Sequence, residues 1–184
     1  MNRSRLLIAS IGGAAILSCA QFAFAKTAQP RADYTAAKDQ ASVVYKDARA
    51  KCDALKEHEK DMCVVEAKAA EKRAKALAEA NYKGTIKAKT DSQIANADAD
   101  LMVAKVACDT KAGNEKDVCV KQAKATNVKL VADAKAHKTE VVARADARED
   151  TRDAQYKVAL AKCDAMTSAA KDTCVASAKS TYAK

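Results

Sequence analysis

Cys52-Asp53-Ala54-Leu55-Lys56-Glu57-His58-Glu59-Lys60-Asp61-Met62-Cys63-Val64-Val65-Glu66-Ala67-Lys68 is the first of three copies of one frame. The second opens at Cys108-Asp109, passes through Lys116-Asp117 and Cys119-Val120, and closes on Ala123-Lys124. The third opens at Cys163-Asp164, passes through Lys171-Asp172 and Cys174-Val175, and closes on Ala178-Lys179. The shared pattern is Cys-Asp-x6-Lys-Asp-x-Cys-Val-x-x-Ala-Lys, an internal repeat that dictates architecture before it says anything about chemistry.

Two geometries fit a pair of cysteines eleven residues apart. In an unbroken helix they lie about 16 Å apart along the axis, although on one face. A disulfide requires Cα atoms within about 7 Å, so bonding each pair forces the chain to reverse between them. The intervening residues suit a reversal at Ala112-Gly113-Asn114 and at Thr167-Ser168, while Leu55 to Lys60 has no Gly or Asn and is the weakest turn. The alternative is a continuous helix with free thiols along one side. Export, argued below, favours the bonded reading, in which Cys52–Cys63, Cys108–Cys119 and Cys163–Cys174 each staple a helical hairpin. Six cysteines allow 15 pairings, so the local one is an expectation from spacing. A loop this short gives a staple worth roughly 2 to 3 kcal/mol.

The arms on either side carry coiled-coil-like stripes. Ala41, Tyr45, Ala48, Cys52 and Leu55 are spaced 4, 3, 4, 3, and Cys63, Ala67, Ala70, Ala74, Leu77 and Asn81 continue the pattern after the turn. Ile94, Ala97, Leu101, Ala104 and Cys108 do the same before the second turn. Gly84 reads as a left-handed helix stop, and Asn114 with Asp117 resembles an N-cap pattern. From Glu115 to Met166 there is neither Gly nor Pro, which permits one helix of roughly 75 Å. Its middle, Arg144 to Asp153, alternates charge sign and reads as a solvated helix or a frayed linker. The expected fold is therefore all-α and elongated. It has an exposed lead-in at 26–31, hairpin 1 at 32–84, hairpin 2 at 85–140, a charged helical connector at 141–155 and hairpin 3 at 156–184.

Composition limits the interior. After residue 25 there is no Phe or Trp, and Leu, Ile and Val number 21 among 159 residues. That is below the roughly 20% at which a packed core becomes hard to build. Alanine, with Lys, Arg and Glu, supplies helix propensity instead, so narrow alanine seams are expected. Arg3 and Arg5, the apolar run Leu6 to Leu17 and Ala23-Phe24-Ala25 make up an export signal with cleavage after Ala25, placing the chain in the periplasm or outside the cell. Ile16-Leu17-Ser18-Cys19 offers a competing lipoprotein signal that would tether the chain at Cys19. Removing residues 1–25 takes away the one odd cysteine of seven and leaves an even six, as an oxidising compartment favours. It leaves 31 Lys and Arg against 24 Asp and Glu, a formal charge of +7.

Each candidate chemistry has a plainer reading beside it. His58 sits among Glu57, Glu59 and Asp61, but a solvated turn suits those residues better than a cation site, and no metal ligand is assigned. Cys63, Cys119 and Cys174 lie near helix starts, where a thiol is activated, yet three evenly repeated pairs read as structural. No nucleophile grouping, phosphate loop or dinucleotide fingerprint is present, so no enzyme and no cofactor are expected. Lys68, Lys72, Arg73, Lys75, Lys83, Lys87 and Lys89 form a basic stretch that would favour an anionic polymer such as lipopolysaccharide or phospholipid headgroups. Gln122 to Lys138 is basic as well. Nucleic acid is not expected, because stacking aromatics are absent from the basic stretches apart from Tyr82. The stripes through Tyr45, Leu55, Leu77, Ile94, Leu101 and Leu130 offer a second kind of partner, another envelope protein or a further copy of the chain. The five tyrosines, three of them (Tyr45, Tyr156 and Tyr182) at matched hairpin positions or arm ends, read as seam fillers and not as a ligand cage.

The export signal, the Ala/Lys/Asp-rich helices and the repeated Lys-Asp-x-Cys-Val-x-x-Ala-Lys resemble uncharacterised exported Ala/Lys-rich proteins of proteobacteria, some labelled TolA-like cell-envelope proteins. The likeness to TolA is compositional and spans residues 32–184; neither a retained membrane anchor nor a globular C-terminal domain like TolA's is visible in residues 1–184. The hairpins also resemble twin Cys-x9-Cys proteins, with a spacing one residue longer and one pair per hairpin. These resemblances stand beside the expectation of a non-enzymatic structural or interaction role in the cell envelope, which rests on the repeated staples and the missing catalytic groupings. They bring no site residue with them.

Overall fold

The computed structural model describes residues 30–183, so the export signal, Cys19 and most of the lead-in lie outside the described residues. Among the described residues five α-helices follow one another: α1 (Arg31–Cys52), α2 (Glu57–Lys83), α3 (Ile86–Ala107), α4 (Gly113–Asp164) and α5 (Ser168–Tyr182). No strand occurs among the described residues. A single 3-10 turn, Cys108–Thr110, ends α3. The protein is all-α and stapled by three disulfides, Cys52–Cys63, Cys108–Cys119 and Cys163–Cys174, with Cα separations of 5.6, 5.7 and 5.6 Å.

Helix ends follow local chemistry. Pro30 caps α1, its carbonyl accepting the Tyr34 N–H at 3.2 Å. α2 stops at Gly84, whose φ of 61° supplies the left-handed cap. Thr85 then caps α3 by accepting the Ala88 N–H on its hydroxyl at 3.1 Å. The expected cap at Asn114 is not the one used. Gly113 takes a φ of 54° and begins α4 directly after Ala112, because the reversal needs a left-handed residue there and the glycine fills it.

The two central helices are buried on two sides. In α2, Val65, Ala69 and Ala80 fall on one flank and Ala67 and Ala78 on the opposite flank, at 100° per residue. In α3, Ala88, Ser92 and Ala99 oppose Thr90 and Ala97 in the same way. α2 therefore packs on α1 and α3, and α3 packs on α2 and α4, while α1 and α4 do not pack extensively on each other. Four antiparallel helices lie in one open layer instead of closing into a bundle. The α2–α3 interface, joined through Gly84, unites hairpins 1 and 2; its small residues, with Ala69 and Ala99 fully buried, let the backbones come close.

α4 is 52 residues, about 78 Å long, so it runs well past the layer. Its first part packs on α3 and its last part on α5. Between them residues 142–152 are all exposed, a solvated single helix in which Arg144–Glu140 (2.5 Å) and Arg152–Glu149 (3.6 Å) pair along the surface. The stretch 141–155 is thus the interior of one continuous helix. Its mixed charge and alanines hold the helical form without a packed face.

The expected α2 stripe faces α1, with Ala67, Ala70, Ala74, Leu77 and Asn81 lining the groove between the two helices. Within that stripe's flank Ala67 and Ala78 are buried and Glu71 is half-buried, whereas Ala70, Ala74 and Leu77 (56%) are exposed. Leu55 and Leu130 are also exposed, at 38% and 39%. Alanines fill the centre of each narrow seam, so the longer side chains lie along its margin.

Candidate functional site

The three stapled turns are one structure built three times. The residue after the first cysteine accepts an ion pair from the lysine seven positions further on: Asp53–Lys60 at 3.0 Å, Asp109–Lys116 at 2.9 Å and Asp164–Lys171 at 2.9 Å. The first cysteine's carbonyl accepts from the third residue after it, Leu55, Lys111 or Met166, at 3.1, 3.0 and 3.0 Å. The fifth residue after it has positive φ each time: Glu57 at 46°, Gly113 at 54° and Ser168 at 48°. The Cys-Asp-x6-Lys part of the repeat is accounted for by this geometry. Cys52, Cys108 and Cys163 are the largest fully buried side chains, while their partners Cys63, Cys119 and Cys174 are half-buried. In the first turn Arg49 adds a second cation at 2.7 Å, and Arg49, then Lys60, hold the Asp53 carboxyl below the usual carboxylate range.

Above each of the first two turns the chain repeats a polar link. Ser42 donates to Glu71 at 3.2 Å across α1–α2, and Asn127 donates to Asp98 at 3.3 Å across α3–α4. Ser42 and Asp98 both lie ten residues before their cysteine, and Glu71 and Asn127 both lie eight after theirs. Glu71 also accepts from Lys75 at 2.5 Å, and that bond, with smaller help from Ser42 and Lys68, keeps its carboxyl below the usual glutamate range. Asp98 additionally accepts Lys72 at 3.1 Å, so one carboxylate ties α2, α3 and α4 together.

Nothing among family models, curated proteins or solved structures matches this chain.

The chemistry therefore rests on the residues themselves. Of the seven basic residues singled out in sequence, five face carboxylates: Lys72 pairs with Asp98, Arg73 with Asp100, Lys75 with Glu71, Lys83 with Glu79 and Lys87 with Asp91. Among the described residues Lys68 and Lys89 have no such pair. Two of the pairs, Lys72–Asp98 and Arg73–Asp100, cross from α2 to α3, so these cations lock the layer. His58 lies in the first turn beside Glu57 and Glu59, and His137 lies far along α4. Among the described residues no group of three or more His, Cys, Asp or Glu side chains converges to hold a metal. No helix of the described residues is long and apolar enough to cross a membrane.

Two of the grooves that the layer leaves open have mainly apolar walls. Between α1 and α2 a groove of about 460 Å³ is lined by Ala41, Val44, Tyr45, Ala74 and Leu77. Between α3 and α4 a groove of about 790 Å³ is lined by Leu101, Ala104, Val118, Ala123 and Leu130. Both run along the seams read from the 4-3 spacing. Alanine is too short to fill the space between two helices, and Val44, Leu77 and Val118 remain 51%, 56% and 57% exposed.

Sequence reasoning missed the aromatic pairs. Tyr34 stacks on Tyr82 with centroids 4.6 Å apart and planes 14° from parallel, and Lys38 sits 5.1 Å above Tyr34. Tyr156 meets Tyr182 at 6.1 Å and 55°. A usable signal was present: Tyr34 and Tyr82 lie 18 and 19 residues outside the first staple, and Tyr156 and Tyr182 lie 7 and 8 outside the third. Residues equidistant from a staple face each other across its hairpin.

Proposed function

We propose that the chain is an exported, non-enzymatic structural or interaction protein of the cell envelope. The observation that carries this reading is the use of the repeat itself. The repeated Asp and Lys of Cys-Asp-x6-Lys pair with each other to close each turn, and the first cysteine of each staple is buried there. Disulfides of this kind suit an oxidising compartment. The open grooves at Tyr45, Leu77, Leu101 and Leu130 supply apolar surface to a helix of an envelope partner. Crosslinking in intact cells, followed by identification of what is attached, tests the proposal. Recovery of an envelope protein joined beside these grooves supports it, and recovery of cytosolic proteins alone refutes it.

The alternative of binding an anionic envelope polymer through the Lys68–Lys89 stretch is weakened by the carboxylates facing five of its seven cations. Titrating salt against lipopolysaccharide binding separates the two readings. A scaffold shows no salt-sensitive binding, and a polymer binder loses affinity steeply as salt rises.

A further inference from the structure

We propose that Tyr34 and Tyr82 form a pre-paired site for oxidative cross-linking to dityrosine, with Tyr156 and Tyr182 a second, less closely aligned one. The observations are geometric and stand apart from any reading of the protein's role. Four of the five tyrosines are paired across a hairpin, and all four are only half-buried, within reach of a small oxidant at the surface. Tyr34 and Tyr82 stack at 4.6 Å, so nothing separates the two rings. Tyr45 is half-buried in the α1–α2 groove, has no aromatic partner among the described residues, and serves as an internal comparison.

The co-reactant is a peroxide used through a one-electron-oxidising peroxidase. Each phenol gives up one electron and its hydroxyl proton, leaving two phenoxyl radicals. The radicals couple through their ortho carbons, forming one carbon–carbon bond. The two ortho C–H bonds then break, and those protons move to the phenoxyl oxygens as the rings regain aromaticity. The two electrons and two protons lost from the hydroxyls reduce one hydrogen peroxide to two waters. The product closes hairpin 1 covalently at the end opposite the Cys52–Cys63 staple, since Tyr34 begins α1 and Tyr82 ends α2.

The test uses the full chain with its disulfides intact, treated with a haem peroxidase and hydrogen peroxide and read by dityrosine fluorescence and peptide mapping. Rings held on one hairpin meet at an effective concentration on the order of millimolar, so the Tyr34–Tyr82 yield per chain is expected to stay constant over a roughly hundredfold dilution. Tyr156–Tyr182 follows more slowly, and Tyr45 stays unlinked. Tyr82→Phe, which keeps the ring, abolishes the first link while circular dichroism shows unchanged helicity and Tyr156–Tyr182 still forms. The proposal is overturned if no Tyr34–Tyr82 link forms while N-acetyltyrosine amide couples under the same conditions. It is equally overturned if the yield falls with dilution and Tyr45 joins as often as Tyr34.

Discussion

The three turns provide a controlled experiment in backbone strain. All three place a left-handed residue five positions after the first cysteine, yet only the second copy uses glycine. A residue with a Cβ in this conformation costs about 1 to 2 kcal/mol, and glycine's extra freedom in the unfolded chain offsets roughly 0.5 to 1 of it. Glu57→Gly and Ser168→Gly are therefore each expected to stabilise the protein by about 0.5 to 1 kcal/mol. Gly113→Ala is expected to destabilise by a similar amount. The glycine change isolates the backbone term, because a Cβ at Gly113 would meet nothing within 4 Å. For a chain of this size 1 kcal/mol corresponds to roughly 2 to 4 °C in melting temperature, readily measured by thermal circular dichroism. If Gly113→Ala leaves the melting temperature unchanged while Ser168→Gly lowers it, the shared turn geometry is wrong.

Further outcomes follow from other contacts. Replacing Cys108 and Cys119 together by alanine is expected to cost about 2 to 3 kcal/mol in denaturant unfolding, with helicity retained in native buffer. Glu71 has a folded-state pKa below its unfolded value, so its contribution is present above the ordinary glutamate range and disappears as pH falls through the folded pKa. Glu71→Gln should accordingly flatten the acid limb of the stability–pH curve, and an unchanged acid limb would remove Glu71 from the account. Residues 142–152 should show the fastest amide exchange of any helix interior in the chain, since no packed face protects them. Ala147→Gly there should weaken the local helix by about 1 kcal/mol and speed exchange across the same residues.

Much of the fold was legible because spacing carries geometry. The eleven-step cysteines require a reversal if bonded, the absence of Gly and Pro from Glu115 onward permits the long α4, and Gly84 ends α2 as its position suggests. The layer was harder to see. In a chain so rich in alanine, positions 69, 80, 88 and 99 look no different from the alanines left exposed on α4, and only the packing shows that α2 and α3 have two buried flanks. Depth of burial within the α2 seam was hidden for the same reason: Ala67 and Ala70 look alike in sequence, yet Ala67 is buried and Ala70 exposed, and Ala78 rather than Leu77 fills the seam. The basic stretch was legible as composition but not as chemistry, because its neutralising partners Asp98 and Asp100 lie on the next helix.

The claim underlying all of this is that each repeat is its own stapled hairpin. Peptide mapping of the protein digested without reduction, with free thiols alkylated beforehand, tests it directly. The expected fragments join Cys52 to Cys63, Cys108 to Cys119 and Cys163 to Cys174, with none of the six alkylated. A fragment joining Cys52 to Cys108, or alkylation of any of the six, would contradict the account.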